Sequence, residues 1–280
     1  MPGRIDLVFA CLLVVVMPAV EYFYFWPRFR RGVAAGRPGT RTRAYLQIAM
    51  GEWLFALAVI VIWMTLERPW SALSLVMPQG ARLAVGAGLD LGALALILVQ
   101  ALSVSRLSAE KRTAARPKLA GLGFMLPRTR AEHGLFLILS TTAGFCEELL
   151  YRGYLPWLFA PWLGATGGMI LAVILFGIGH AYQGVQGAVK ATLAGAVLAA
   201  VVVATGSLIP AMILHALIDV AGGTVGYLLL REQPGNAPST NAEGRGITLP
   251  SPCVDVSCIE ENARRAKMAM GSAHMGHATQ

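Results

Sequence analysis

Long apolar runs dominate the chain up to about residue 230. A helix that crosses the hydrocarbon core of a bilayer, about 30 Å thick, needs about 20 mostly apolar residues. Runs of about this length predict seven membrane-spanning helices, at about residues 5–26, 45–67, 83–105, 133–155, 165–183, 187–205 and 207–230. The runs are continuous, whereas the strands of a transmembrane barrel would alternate apolar and polar positions. The sequence therefore predicts an all-α, polytopic bundle of about seven to eight transmembrane helices.

The segments between these runs refine the picture. Residues 68–82 are too short to cross and are expected in the interface or as a re-entrant segment. Pro156 is expected to kink or end the fourth helix. The run at 5–26 has the position of a signal peptide, but it is long enough to span and is expected to stay as a helix. Residues 231–280, rich in Gly, Pro, Ser, Asn and Ala, are expected to form a disordered tail.

Composition and charge agree with a membrane protein. Of the 280 residues 56% are hydrophobic and only 14% are charged, too few charges to coat a water-soluble globule. The net charge is +8, and 18 of the 23 lysines and arginines lie in residues 26–45, 105–132 and the tail. Aromatic residues are almost absent from these basic loops, so no nucleic-acid partner is expected. Basic loops mark the cytoplasmic side of a membrane protein. The chain is therefore expected in the cell (inner) membrane, with its N-terminus outside and its tail in the cytoplasm.

Ionisable residues inside the predicted spans are the candidates for function, because a charge at the bilayer centre is costly. The fourth span contains Glu147, Glu148 and Arg152. Glu148 and Arg152 are four residues apart on one helix face and can pair. Glu147 is rotated from them by about 100° and keeps no local partner. A free carboxylate in an apolar surround is suited to act as a general base.

Two imidazoles complete this cluster. His180 shares a helix face with Phe176, and His215 shares one with Asp219, which can hydrogen-bond a ring nitrogen of His215 and fix its tautomer. One free carboxylate and two imidazoles can activate water as general bases or through a divalent metal such as zinc, with Glu147, His180 and His215 as ligands. The predicted bundle therefore encloses a polar cavity inside the membrane.

The ordered set Glu147-Glu148-x3-Arg152, Phe176-x3-His180 and His215-x3-Asp219 resembles the CPBP (CaaX protease and bacteriocin-processing, or Abi) family of intramembrane proteases, over about residues 133–225. The resemblance implies a helix bundle with a hydrophilic cavity, in which Glu147 and His180 activate the attacking water. It also implies that His215 and Asp219 form the oxyanion pocket and that Glu148 and Arg152 support the site. Prenyl-protein-processing members often have Asn where this chain has Asp219, and an ionised Asp cannot donate to an oxyanion.

The resulting expectation is an intramembrane endopeptidase that hydrolyses a membrane-associated protein or peptide, with 1–132 as an N-terminal three-helix region, 133–230 as the catalytic bundle and 231–280 as the tail. Glu21 and Glu52 are expected either to line the cavity or to pair with each other or with a basic loop residue. The structural interpretation is favoured. A non-catalytic membrane scaffold or bacteriocin self-immunity factor is one alternative. A transporter with a proton relay through Glu147, His180 and His215 is another.

Overall fold

The computed structural model describes residues 2–119 and 121–231, and within these ranges the ordered elements are helices. Six helical runs are long and apolar enough to cross a membrane, as expected of a polytopic bundle. Large apolar side chains such as Phe23, Leu96 and Val203 are exposed on the outside of the bundle, where a bilayer would cover them. Of the predicted tail, the part beyond Arg231 lies outside the described residues.

The main α-helices are numbered here in chain order. They are α1 (Arg4–Ala34), α2 (Thr40–Thr65), α3 (Gly80–Ser105), the short α4 (Ala109–Ala115), α5 (Arg130–Glu148), α6 (Leu155–Gly179), α7 (Val185–Thr205) and α8 (Leu208–Leu230). Side chains cap two of the helices that build the site. Thr129 accepts a hydrogen bond from the Glu132 amide at the start of α5, and Ser207 accepts one from the Ile209 amide at the start of α8.

Helix α1 contains two π-helical turns, Leu12–Val16 and Glu21–Phe25. Each of them lies just before a proline, Pro18 or Pro27, that has no amide hydrogen to donate back along the helix. A wider turn is one way for a helix to pass such a residue. The second π-helical turn carries Glu21, one of the ionisable residues singled out in the sequence.

The fourth and fifth expected spans form one helical run of 54 residues, Arg130–Gln183. A π-helical turn, Leu149–Tyr154, joins α5 to α6, and the chain stays helical through Pro156. Of the two outcomes expected for Pro156, a kink or the end of the helix, the second is therefore wrong. The helix is broken instead at Gly164, whose φ of 70° and ψ of 168° favour a residue without a Cβ. A Cβ on Gly168 would lie 2.8 Å from the Pro156 carbonyl oxygen, so the chain folds back at Gly164.

Loop contacts define one end of the bundle. Arg68, just after α2, pairs with Asp6 near the start of α1. The segment 68–82 forms a short 3-10 turn, Trp70–Leu73, and accepts hydrogen bonds at the Val76 carbonyl from Ser207 and at the Ser74 carbonyl from Leu208. This segment therefore packs against the start of α8.

The opposite end carries the basic loops. Three arginines from separate segments donate to backbone carbonyls there: Arg30 to Tyr182, Arg41 to Phe124 and Arg116 to Leu229. The start of α1 and the end of α8 thus lie at opposite ends of the bundle, as an odd number of crossings requires.

One hydrophobic core joins helices from both sides of the expected boundary at residue 132. It includes Phe9 of α1, Val59 of α2, Leu198 of α7 and Ala211 of α8. Helix α5 approaches α8 closely at Gly144, where a Cβ would lie 2.7 Å from the Met212 carbonyl oxygen. Helix α5 carries Glu147 and Glu148, and α8 carries His215 and Asp219. The contact at Gly144 therefore sets the distance between these two groups of side chains.

Candidate active site

A buried ionic cluster forms where α5, the π-helical turn and α8 meet. Glu148 Oε1 accepts hydrogen bonds from Arg152 Nη1 and from His215 Nδ1, each over 2.8 Å. Glu148, Arg152 and His215 are 0%, 2% and 6% exposed. The Arg152 guanidinium also lies 4.1 Å from the centre of the Phe176 ring. Charges buried this deeply persist only when they are paired, so the predicted pair between Glu148 and Arg152 is present and extends to His215.

The remaining nitrogen of His215 faces two carboxylates. His215 Nε2 lies 3.7 Å from Glu147 Oε2 and 3.8 Å from Asp219 Oδ2. Both separations exceed the length of a hydrogen bond, so Nε2 makes no direct hydrogen bond to either carboxylate. Glu147 Oε2 is buried and has no hydrogen-bond partner within residues 2–119 and 121–231. Glu148, and not Asp219 as expected, therefore orients His215.

His180 reaches the same region from the end of α6. Its Nδ1 lies 2.8 Å from the Phe176 carbonyl oxygen, which can only accept, so Nδ1 carries the proton. In the neutral ring this leaves Nε2 as an acceptor. The Phe176 ring packs against both imidazoles, with ring centres 4.5 Å from His180 and 6.1 Å from His215.

A cavity of about 540 Å³ brings these side chains together. Glu147, His180, His215 and Asp219 line it, whereas Glu148 and Arg152 lie behind its wall. Glu21 of α1 and Glu52 of α2 also line it. Of the two interpretations of this pair of glutamates, the one that places them in the cavity wall agrees with the structure. A cavity of this size, with a mostly apolar wall and a few convergent polar groups, is typical of a ligand site.

The donor types Glu147, His180 and His215 would suit zinc chemically. Among the described residues, however, no three His, Cys, Asp or Glu side chains are grouped closely enough to hold one ion in this arrangement. The metal-ligand set therefore stays a prediction.

Sequence reasoning missed Asp6. It is fully buried and forms two hydrogen bonds of 2.8 Å with Arg68, whose guanidinium also lies 4.5 Å from the centre of the Trp157 ring. The Tyr154 hydroxyl donates to the Asp6 carbonyl oxygen over 2.9 Å. The hydrogen bonds to Asp6 raise the pKa of Arg68 above its usual range. An acid in the first apolar run and a lone arginine just after the second were the available signal.

Residues 130–221 match the family model described as type II CAAX prenyl endopeptidase Rce1-like. Residues 130–221 form an Rce1-like domain. The match confirms the resemblance to the CPBP family drawn from the motifs, and it covers roughly a third of the chain. The matched range contains all six predicted site residues: Glu147, Glu148, Arg152, His180, His215 and Asp219. Neither the curated proteins nor the solved structures gave a significant match.

An Rce1-like domain built from helices that can span a bilayer indicates a peptidase embedded in the membrane. The two carboxylates that reach the cavity from α1 and α2 lie outside the matched range.

Proposed function

We propose that this protein is an intramembrane endopeptidase that hydrolyses a peptide bond of a membrane-associated protein or peptide with a water activated by Glu147 and His180. The observation that carries the proposal is the convergence of Glu147 Oε2 and Asp219 Oδ2 on His215 Nε2, at 3.7 and 3.8 Å, in the wall of one cavity. The Rce1-like domain supports peptide hydrolysis as the reaction.

In this proposal Glu147 is the general base. Its buried Oε2 makes no hydrogen bond to any described residue and is free to take a proton from water. The neutral His180 ring presents Nε2 as an acceptor, because Nδ1 donates to the Phe176 carbonyl oxygen. Glu147 and His180 thus supply two acceptors for the two hydrogens of one water.

Attack of the water oxygen on the carbonyl carbon gives a tetrahedral intermediate with a negatively charged oxygen. When His215 is protonated, its Nε2 can donate a hydrogen bond to this oxyanion. Glu148 and Arg152 keep the ring in place by holding Nδ1. The C–N bond then breaks, and the proton taken up by Glu147 passes to the leaving amine. Asp219, 3.8 Å from Nε2, stabilises the charged imidazole rather than the oxyanion.

The deciding experiment compares membranes of cells that express the wild type, Glu147→Gln or His180→Ala by quantitative proteomics. We expect peptides released by the wild type to disappear in both variants, while the inserted amount of protein stays the same. Glu110→Gln, which changes an exposed glutamate of α4, is the matched control and should process normally. Normal processing by Glu147→Gln would favour the scaffold or immunity alternative and would defeat the proposal.

We also propose that the N-terminus lies outside and the residues after α8 lie in the cytoplasm. The basic loops gather at the end of the bundle that holds Arg30, Arg41 and Arg116. Within residues 2–119 and 121–231, the lysines and arginines in the loops and helix starts of the opposite end are only Arg4, Arg68 and Arg82. The positive-inside rule assigns the basic end to the cytoplasm.

A further inference from the structure

The cavity wall is strongly acidic. Four carboxylates line it, from Glu21, Glu52, Glu147 and Asp219. The described residues that line it include no lysine or arginine. The proposed hydrolysis uses Glu147 and, beside His215, Asp219, and it gives no role to Glu21 and Glu52.

Nearby cations are already engaged. Arg152 pairs with Glu148 behind the wall, Arg30 donates to the Tyr182 carbonyl oxygen, and Arg41 donates to the Phe124 carbonyl oxygen. Glu52 Oε2 is buried and has no hydrogen-bond partner in the described part of the chain. Like charges in one poorly solvated volume repel each other, and a positively charged guest would offset this repulsion.

The spacing of the carboxylates in this acidic wall favours a guest larger than a single metal ion. The carboxylates are not grouped closely enough to ligate one ion, and they surround a volume of about 540 Å³. Aromatic residues, among them Tyr24, Trp26 and Tyr182, share the wall with them. The Trp26 and Tyr182 rings are stacked, with centres 3.6 Å apart and planes 5° from parallel. Carboxylates beside aromatic faces are suited to an organic cation.

We infer that Glu21 and Glu52 are specificity-determining residues that bind the cationic side chain of an arginine or lysine in the peptide substrate. The inference rests on the proposed function, because the carbonyl of a peptide held this way would lie at Glu147 and His215. The substrate class is then an apolar, membrane-associated segment with a basic residue near the cleaved bond. The preference resides in α1 and α2, outside the Rce1-like domain.

The test measures binding separately from cleavage. Two fluorescein-labelled apolar decapeptides differ only at the central residue, which is arginine in one and citrulline, its neutral isostere, in the other. Peptide bonds on both sides of this residue are N-methylated to resist hydrolysis. Affinities are measured by fluorescence anisotropy with the purified full-length chain in nanodiscs. We expect the wild type to bind the arginine peptide about tenfold more tightly, as suits a charge-assisted hydrogen bond.

The variants assign this preference to residues. The double variant Glu21→Gln/Glu52→Gln should bind both peptides within about twofold of each other and keep its affinity for the citrulline peptide. Glu52→Asp should retain a preference because it retains the charge. Glu110→Gln should behave as the wild type. If the double variant binds neither peptide, the single variants Glu21→Gln and Glu52→Gln are compared instead. Each of them must then reduce the preference for the arginine peptide at least about threefold.

The inference is overturned if the wild type binds the two peptides equally or not at all, or if the preference survives the double substitution. Cleavage of the unmethylated peptides, followed by mass spectrometry, reports on the proposed function independently. Cleavage without a charge preference would sink only the specificity inference. A charge preference without cleavage of any peptide would contradict only the proposed endopeptidase activity.

Discussion

His215 Nδ1 donates a hydrogen bond of 2.8 Å to Glu148 Oε1, across the contact between α8 and α5. The same oxygen accepts a second hydrogen bond from Arg152. One carboxylate oxygen therefore fixes the orientation of an imidazole on another helix and offsets the charge of a buried guanidinium. This places Glu148 and Arg152 as positioning residues that act through His215.

The buried pair between Glu148 and Arg152 should be sensitive to the loss of one partner. Arg152→Met leaves the Glu148 charge without its cation and is expected to lower the free energy of unfolding by about 3–5 kcal/mol. The double variant Glu148→Gln/Arg152→Met removes both charges and should recover part of this loss. Unfolding in mixed micelles measures both, with the exposed Arg106→Met as control. A double variant no more stable than Arg152→Met would contradict the pairing.

Gly144 should matter for both stability and activity. An alanine Cβ there would lie 2.7 Å from the Met212 carbonyl oxygen and 2.8 Å from the Ala216 Cβ. Gly144→Ala must push α5 and α8 apart, at a cost of about 1–3 kcal/mol, and separate Glu147 from His215. We expect slower cleavage of a substrate found in the proteomic comparison, and a lower Tm. Gly134→Ala, on the same helix with open space around it, is the control, and equal effects of the two would argue against the close contact.

The ion pair between Asp6 and Arg68 should support stability without taking part in the reaction. Asp6→Asn removes a fully buried charge from its pair with the partly exposed Arg68 and should lower the free energy of unfolding by up to about 3 kcal/mol. Neither residue lines the cavity, so the specific activity of the folded fraction at low temperature should stay within about twofold of the wild type. The neighbouring exposed Glu67→Gln should change neither quantity. A selective loss of activity in Asp6→Asn would show a link to the site.

The proposed orientation predicts which loops can be labelled from outside the cell. In a background in which all cysteines are replaced, Met77→Cys introduces a thiol at the end that holds Arg68, and Ala114→Cys introduces one at the basic end. Both positions are exposed. A membrane-impermeant maleimide should label Met77→Cys in intact cells and Ala114→Cys only after permeabilisation. The reverse pattern would invert the topology.

The sequence was sufficient for features that depend on local spacing. Continuous apolar runs predicted the spanning helices, and the four-residue spacing of Glu148 and Arg152 predicted their pair, because neighbours at this spacing share a helix face. The same rule placed Asp219 beside His215, and the two side chains do lie close, but at 3.8 Å from Nε2 Asp219 is too far away for the expected hydrogen bond. The actual partner, Glu148, lies 67 residues away along the chain, and only the packing of α5 on α8 brings it into contact.

Features that depend on where the backbone reverses, or on contacts between helices distant in the sequence, could not be predicted from local spacing. Pro156 carries a strong helix-breaking signal, yet the helix passes it through a π-helical turn and breaks at Gly164 instead. Asp6 and Arg68 are 62 residues apart, so no periodicity links them. Glu21 and Glu52 were identifiable as costly charges, but their common cavity depends on how α1 and α2 pack against the rest.

The matched domain does not enclose its own cavity. Part of the wall consists of α1 and α2, which come earlier in the chain than residue 130. A fragment limited to residues 130–221 would keep the side chains of the proposed site and leave them open to lipid on one flank. Swapping the first two helices between related proteases should therefore transfer substrate choice while leaving the chemistry with the recipient.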